Sequence, residues 1–191
     1  MTDTPSGPGR PVDQKVSRRL KETALNLVRE HGYRDVSISS IVATAKVSRQ
    51  SLYNRWNSKA DLVLDALAED ALAEVAHPIT DDGSTAHAAL VTFLTQVFAH
   101  LARDGRTLQS LIAAAQDDPE FGSQFHAAFV APREEIVTAL LYRAQASGEL
   151  APHRDVPILS AFVHGAFWYR LLNGQPLDAD LASRIADEVF R

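Results

Sequence analysis

Apolar residues return every third or fourth position through most of this chain, and no stretch sustains the period-two alternation of a strand. Val16, Leu20, Ala24, Leu27 and His31 share one face of a helix expected over residues 14–31, with His31 half-buried at its end. Gly32 stands where a left-handed cap is wanted, and Tyr33 just beyond it can fold back onto the apolar face. Ser37 can cap a helix over 38–45 that carries Ile38, Ile41, Val42 and Ala45 on one side. Ser48 can cap a second short helix over 49–55, whose Leu52 and Trp56 lie four apart and face inward. Ser58-Lys59-Ala60-Asp61 opens a fourth helix in the manner of a capping box, with Leu64, Leu67, Ala71 and Val75 on its inner face. It runs to about Ala76, where His77-Pro78 ends it.

Residues 79–84 read as a loop. The helix expected over 84–103 is apolar almost all round, through Leu90, Phe93, Leu94, Val97, Phe98 and Leu101, and so belongs inside a bundle. Asp104-Gly105 predicts a break, followed by a helix to about Gln116. Asp117-Asp118-Pro119 starts a longer segment, bent near Pro132 and ended by Gly148. Helices over 155–173 and 178–190, joined by Asn173-Gly174-Gln175-Pro176, complete an all-α architecture of about nine helices. The expected division is a mobile tail (1–12), a three-helix helix-turn-helix unit (13–57) and a larger helical region (58–191) entered through the fourth helix.

With 191 residues and no cysteine, the chain can build a good core, and disulfides, thiolate metal sites and cysteine nucleophiles are excluded. No apolar run approaches the ~20 residues of a membrane helix, and the start of the chain lacks a signal-peptide segment. The expectation is a soluble cytoplasmic protein with no membrane partner. The net charge of −5 hides a division: residues 10–59 carry eleven Lys/Arg against four Asp/Glu, and residues 60–191 carry eight against nineteen. A basic front on an acidic body is a localised footprint for a polyanion such as double-stranded DNA.

The second short helix supplies matching side chains. Arg49 can pair with guanine, and Gln50 or Asn54 with adenine, in the major groove. Ser37, Ser48, Ser51 and Tyr53 suit phosphate oxygens, and Gly9-Arg10-Pro11 resembles arms that enter a minor groove. Lys59 and Arg49 sit at the positive ends of their helices, a misplacement that a bound phosphate would relieve. The plain alternative is a solvated polar face.

Ile41, Ala45, Val47-Ser48, Leu52-Tyr53, Trp56, Ser58-Lys59 and Leu62 together resemble the DNA-binding domain of TetR-type bacterial transcriptional regulators. That family usually has glycine where Lys46 stands and alanine where Val42 stands, so a left-handed Lys46 is expected at a cost of roughly 1 kcal/mol. The resemblance implies a homodimer on a palindromic operator, with the C-terminal region serving ligand binding and dimerisation. It also implies a small effector that moves the fourth helix and releases the DNA, as in a repressor. The dimer contact is expected at Phe162, Ala166, Tyr169, Ile185 and Val189, with Phe167 and Leu171 in the intrachain core. A pocket for the effector is expected among Phe93, His100, Gln116, Phe129, His164 and Trp168, although core packing is the commoner fate of such residues.

No catalytic residues, cofactor or metal are expected. The seven histidines never fall three or four apart, and no HExxH motif or glycine-rich phosphate loop is present. Asp117-Asp118 and Glu134-Glu135 read as solvated acids. The competing reading, an all-helical carrier or enzyme with an incidental helix-turn-helix, lacks a convergent nucleophile or acid–base set.

Overall fold

The computed structural model describes the backbone of residues 11–74 and 83–191, and the side chains of 14–70 and 83–191. Among these residues there are nine α-helices, one π-helical turn and no strand. They are α1 (Pro11–His31), α2 (Ile38–Ala45), α3 (Arg49–Tyr53), α4 (Lys59–Glu74) and α5 (Ala86–Asp117), then α6 (Pro119–Phe125), α7 (Ala131–Ser147), α8 (Val156–Leu172) and α9 (Ala179–Phe190), with the π turn at His126–Val130. The Gly9-Arg10 part of the expected arm, the end of α4 at His77-Pro78 and most of the 79–84 loop lie outside the described residues.

Local chemistry sets the first elements. The Ser37 hydroxyl accepts from the Ser40 amide at 3.1 Å while the Ser40 hydroxyl faces the Ser37 amide at 3.0 Å, a reciprocal box at the start of α2. Lys46 ends α2 in the left-handed region (φ 53°, ψ 46°), as its place in the turn required. Ser48 caps α3 by accepting from the Ser51 amide at 3.1 Å. At α4 the box is only half formed. Ser58 accepts from Asp61 N–H at 3.0 Å, and the Asp61 carboxylate reaches past it to the Asn57 amide at 3.0 Å.

Leu20, Ala24, Ile41, Leu52 and Trp56 close the core of the first three helices, and Leu62, Leu64 and Leu67 of α4 join it. Ala71 and Val75 have no described side chains. Helix α5, 32 residues and so about 48 Å long, is the axis of the rest, with α6, α7, α8 and α9 against it.

Three expectations are corrected. The break at Asp104-Gly105 does not occur, because both residues serve packing inside a continuous α5. A β-carbon on Gly105 would lie 3.0 Å from Leu171 Cδ1, so the glycine lets α8 approach, and Asp104 is buried against an arginine of α1. His31 is exposed, 3.7 Å from Glu30, because the last turn of α1 buries Val28 and turns His31 to the other side. The bend expected near Pro132 is a π turn just before it. Pro132 has no N–H for the carbonyl four residues back and its ring crowds that carbonyl, and the wider turn absorbs both.

Candidate nucleic-acid interface and effector chamber

Arg49, Gln50, Tyr53 and Asn54 lie exposed on α3, while Leu52 at 0 % exposure and Trp56 at 7 % anchor the opposite side. The exposed groups hold one another in place. Gln50 Nε2 donates to Asn54 Oδ1 at 2.8 Å, Arg49 donates to Ser39 of α2, and the Ser48 and Ser51 hydroxyls meet at 2.9 Å. A cationic, amide and aromatic face is thus presented by a helix whose own orientation is fixed. Trp56 Nε1 donates to Asp65 of α4 at 2.9 Å, and Lys21 of α1 reaches the same carboxylate at 2.8 Å. Trp56, three residues past the end of α3, thus ties that end to α4. Ser37 is exposed, but its hydroxyl is committed to the capping box.

Lys59 departs from expectation. Its ammonium donates to the carbonyls of Tyr33 at 2.8 Å and Val36 at 2.9 Å, and lies 4.0 Å from the centroid of the Tyr33 ring. Burial lowers its pKa, opposed by Asp35. Backbone oxygens already meet the positive charge at the helix start, with two of the ammonium's three N–H donors. Lys59 is a strut between α4 and the 32–36 loop.

The larger part of the molecule holds a small chamber of about 30 Å³, room for a water or two. Leu101 and Leu108 of α5, Val130 of the π turn and Phe167 of α8 give it apolar walls. Four of the six expected pocket residues reach it: His100, Phe129, His164 and Trp168. Phe93 is instead buried one turn before it, and Gln116 is exposed on the last turn of α5, carried away from the chamber by the helix that was expected to break. His164 Nδ1 lies 2.8 Å from the Ser160 carbonyl, so that nitrogen carries the proton and Nε2 is left for the chamber.

Arg133 is the wall residue that sequence reasoning missed. Its Nη1 donates to the Phe129 carbonyl at 2.6 Å and its guanidinium lies 3.5 Å from the Phe129 ring centroid. Burial, with no acid beside it, pushes its pKa down to about 10. A signal was present: Phe129, Val130, Ile136 and Val137, its neighbours three and four residues away, are all apolar, which places an arginine on a buried face.

An aromatic row joins the chamber to Lys59. Tyr33 stacks on Phe121 at 4.4 Å, Phe121 faces Phe125 at 6.3 Å, and Phe125 stacks on Phe129 at 5.4 Å, with Arg133 beyond. Each step of four in an α-helix overshoots a turn by about 40°. The wide π turn undershoots, and so keeps the row in line.

A polar cluster ties α1 to α4 and α5. Arg29 donates to Asp104 at 2.6 Å and to Asp70 at 2.8 Å. His100 brings a ring nitrogen close enough to both acids to make a three-ligand set for a metal. The arginine already supplies the cation there, and a metal would have to displace it.

On α8, Phe162 and Tyr169 are 65 % and 63 % exposed, with Ile158 and Leu172 on the same face. Ala166 lies in the adjoining groove between α8 and α9. Ile185 and Val189, expected at a subunit contact, are buried in the single chain at 8 % and 4 %, because α9 turns that face to α5; they form the groove's floor.

Known proteins share both regions. Residues 20–66 match the family model for bacterial regulatory proteins of the tetR family, and residues 79–189 match the tetracyclin repressor-like C-terminal domain. The chain is 30 % identical to an uncharacterized HTH-type transcriptional regulator, YdeS, of Bacillus subtilis, over 86 % of this chain and 82 % of that protein. It is 28 % identical to a DNA-binding transcriptional repressor TetR of Mycobacteroides abscessus, over 91 % of each. The crystal structure of the TetR family transcription regulator SCO0332 superposes with a TM-score of 0.73 at 25 % identity, covering 92 % of this chain and 97 % of that one.

Proposed function

Since the chain belongs to the TetR family of bacterial transcriptional regulators, a class of ligand-responsive DNA-binding proteins, we propose that it is a repressor acting as a two-fold dimer. Its paired α3 helices enter successive major grooves of a palindromic operator, and a small effector in the chamber releases them. The observation that carries this reading is the exposed set Arg49, Gln50, Tyr53 and Asn54, with Gln50 bonded to Asn54 and Arg49 to Ser39, backed by the buried Leu52 and Trp56. Arg49 and the two amides read bases, while Ser48, Ser51 and Tyr53 hold phosphate oxygens. Residues 13–57 form the DNA-binding unit and 58–191 the ligand-binding and dimerisation unit, with the cytoplasm as the compartment where the operator is met.

Dimerisation is supported by the exposed Ile158, Phe162, Tyr169 and Leu172. A stripe this apolar is uncommon on a monomer, and a symmetry mate's α8 would cover it. Release is supported by the contact of the π turn, one wall of the chamber, with α4, and by the Trp56–Asp65 bond that passes α4's position to α3. Half-sites on DNA are fixed a helical turn apart, so a small change in α3 separation weakens the grip. This requires the effector to favour the separated geometry.

The test is titration of the full-length protein with duplex from the DNA flanking its own gene, at several salt concentrations. Saturable, sequence-selective binding with a steep salt slope is expected. Sedimentation should show a dimer, and Phe162→Arg a monomer that binds the duplex weakly. A monomeric parent protein, or equal binding to unrelated duplexes, rejects the reading and favours a helical carrier.

A further inference from the structure

The chamber's chemistry, once it is read as the effector site, fixes one property of its ligand. Apolar side chains make most of the wall, yet a cationic group stands in it, and no acid among the described residues pairs with it. Arg133 uses one N–H on the Phe129 carbonyl and rests its face on the Phe129 ring. A guanidinium carries five N–H donors, so most of its hydrogen-bonding capacity has no protein acceptor. A half-buried charge with no counter-charge is costly to hold, and a carboxylate would offset that cost.

We propose that Arg133 is the anchor for the carboxylate of a monoanionic effector whose remaining body is apolar, aliphatic or aromatic. A carboxylate offers two oxygens in one plane and meets a guanidinium through two parallel bonds. A single negative charge neutralises the chamber. A phosphate dianion would leave excess charge, because no other arginine or lysine lines it. Trp168 and Phe167 supply the apolar contact for the body, and His164 Nε2 stands at the same wall. The chamber is nearly closed at about 30 Å³, so the ligand must part its walls. The π turn carrying Phe129 and Val130 is the wall least committed to regular backbone bonding. A carboxylate that draws Arg133 off the Phe129 ring would act on the end of the aromatic row that reaches Tyr33 and Lys59. The proposal rests on the effector reading of the chamber, and its test separates the two.

Full-length protein is titrated with hexanoate, benzoate, hexanamide and benzamide while tryptophan fluorescence is followed. A Trp168→Phe variant identifies the part of the signal that comes from the chamber. Acids should bind about tenfold or more tightly than the matched amides. Arg133→Met should lose that preference while still binding amides, and Arg133→Lys should keep part of it. Arg133→Gln serves as a second removal of charge should the Met variant not fold. Equal binding of acids and amides by the parent protein, or a preference surviving in the Met and Gln variants, overturns the anchor. Amides that perturb Trp168 while acids do not would overturn it and leave the chamber reading intact. Silence of Trp168 to all four compounds overturns both.

Discussion

The α3 face and the chamber treat cations in opposite ways. On α3, Arg49 is exposed, bonded to Ser39 and flanked by the Gln50–Asn54 pair, so water and neighbours satisfy it before any partner arrives. In the chamber wall, Arg133 is half-buried and rests on one carbonyl and one ring. The exposed cation adds little cost to the unbound protein, and its use lies in where it is held. The buried cation costs stability at all times, and its use lies in the anion it lacks. An exposed charged face therefore gives information by its arrangement, and an enclosed charge by its missing counter-charge.

The comparison breaks first at α3. Arg49→Ala combined with Tyr53→Ala should weaken operator binding at least about 100-fold in the dimer, since a base-reading pair is worth about 1–3 kcal/mol and is used twice. Both side chains are exposed, so the melting transition should shift by no more than about 0.5 kcal/mol. Fluorescence anisotropy on the duplex and thermal unfolding read the two quantities. Full operator affinity in the double variant would remove α3 as the reading helix.

The exposed placement of those two residues was legible in the sequence because a helix-turn-helix is local. Ser37, Ser48, Leu52 and Trp56 fix two caps and one buried face within twenty residues, and the left-handed Lys46 followed from its position in the turn. The chamber is assembled from α5, the π turn, α7 and α8, whose wall residues span Val97 to Trp168, and no short-range spacing reveals such a meeting. His100 and Trp168 were found as aromatic and polar residues of the right kind, and Phe93 and Gln116 were wrongly grouped with them for the same reason. The continuous α5 was hidden because glycine and aspartate usually interrupt helices. Here each answers a partner far away in sequence, Leu171 and Arg29.

Lys59 sharpens the comparison, because it belongs to the basic front by sequence and to the buried class by structure. Lys59→Met removes two bonds to carbonyls and leaves Tyr33 O and Val36 O in need of water. A loss of about 1–3 kcal/mol in thermal or denaturant unfolding is expected. The folded variant should bind the operator within about threefold of the parent protein. Should its salt slope fall by about one, as for a lost phosphate contact, Lys59 would return to the DNA face.

The smallest effect lies in the pH dependence at Arg133. Its pKa in the folded protein, about 10, is below the ordinary arginine value, with burial as the cause. Between those two values the unfolded chain binds the proton more readily than the folded one does. The penalty of holding the charge indoors is thus fully present below pH 10 and fades as pH rises toward the ordinary arginine value. A carboxylate ligand needs the charged form, so hexanoate affinity should be level from about pH 7 to 9 and then fall. The fall should begin near pH 10 and deepen as pH rises further, as the guanidinium gives up its charge. Hexanamide, which has no charge to pair, should hold its affinity over the same range and so corrects for other groups that titrate there. Parallel decline of the acid and the amide would show that the edge belongs to the protein as a whole, and Arg133 would then resemble Arg49, a cation satisfied without its ligand.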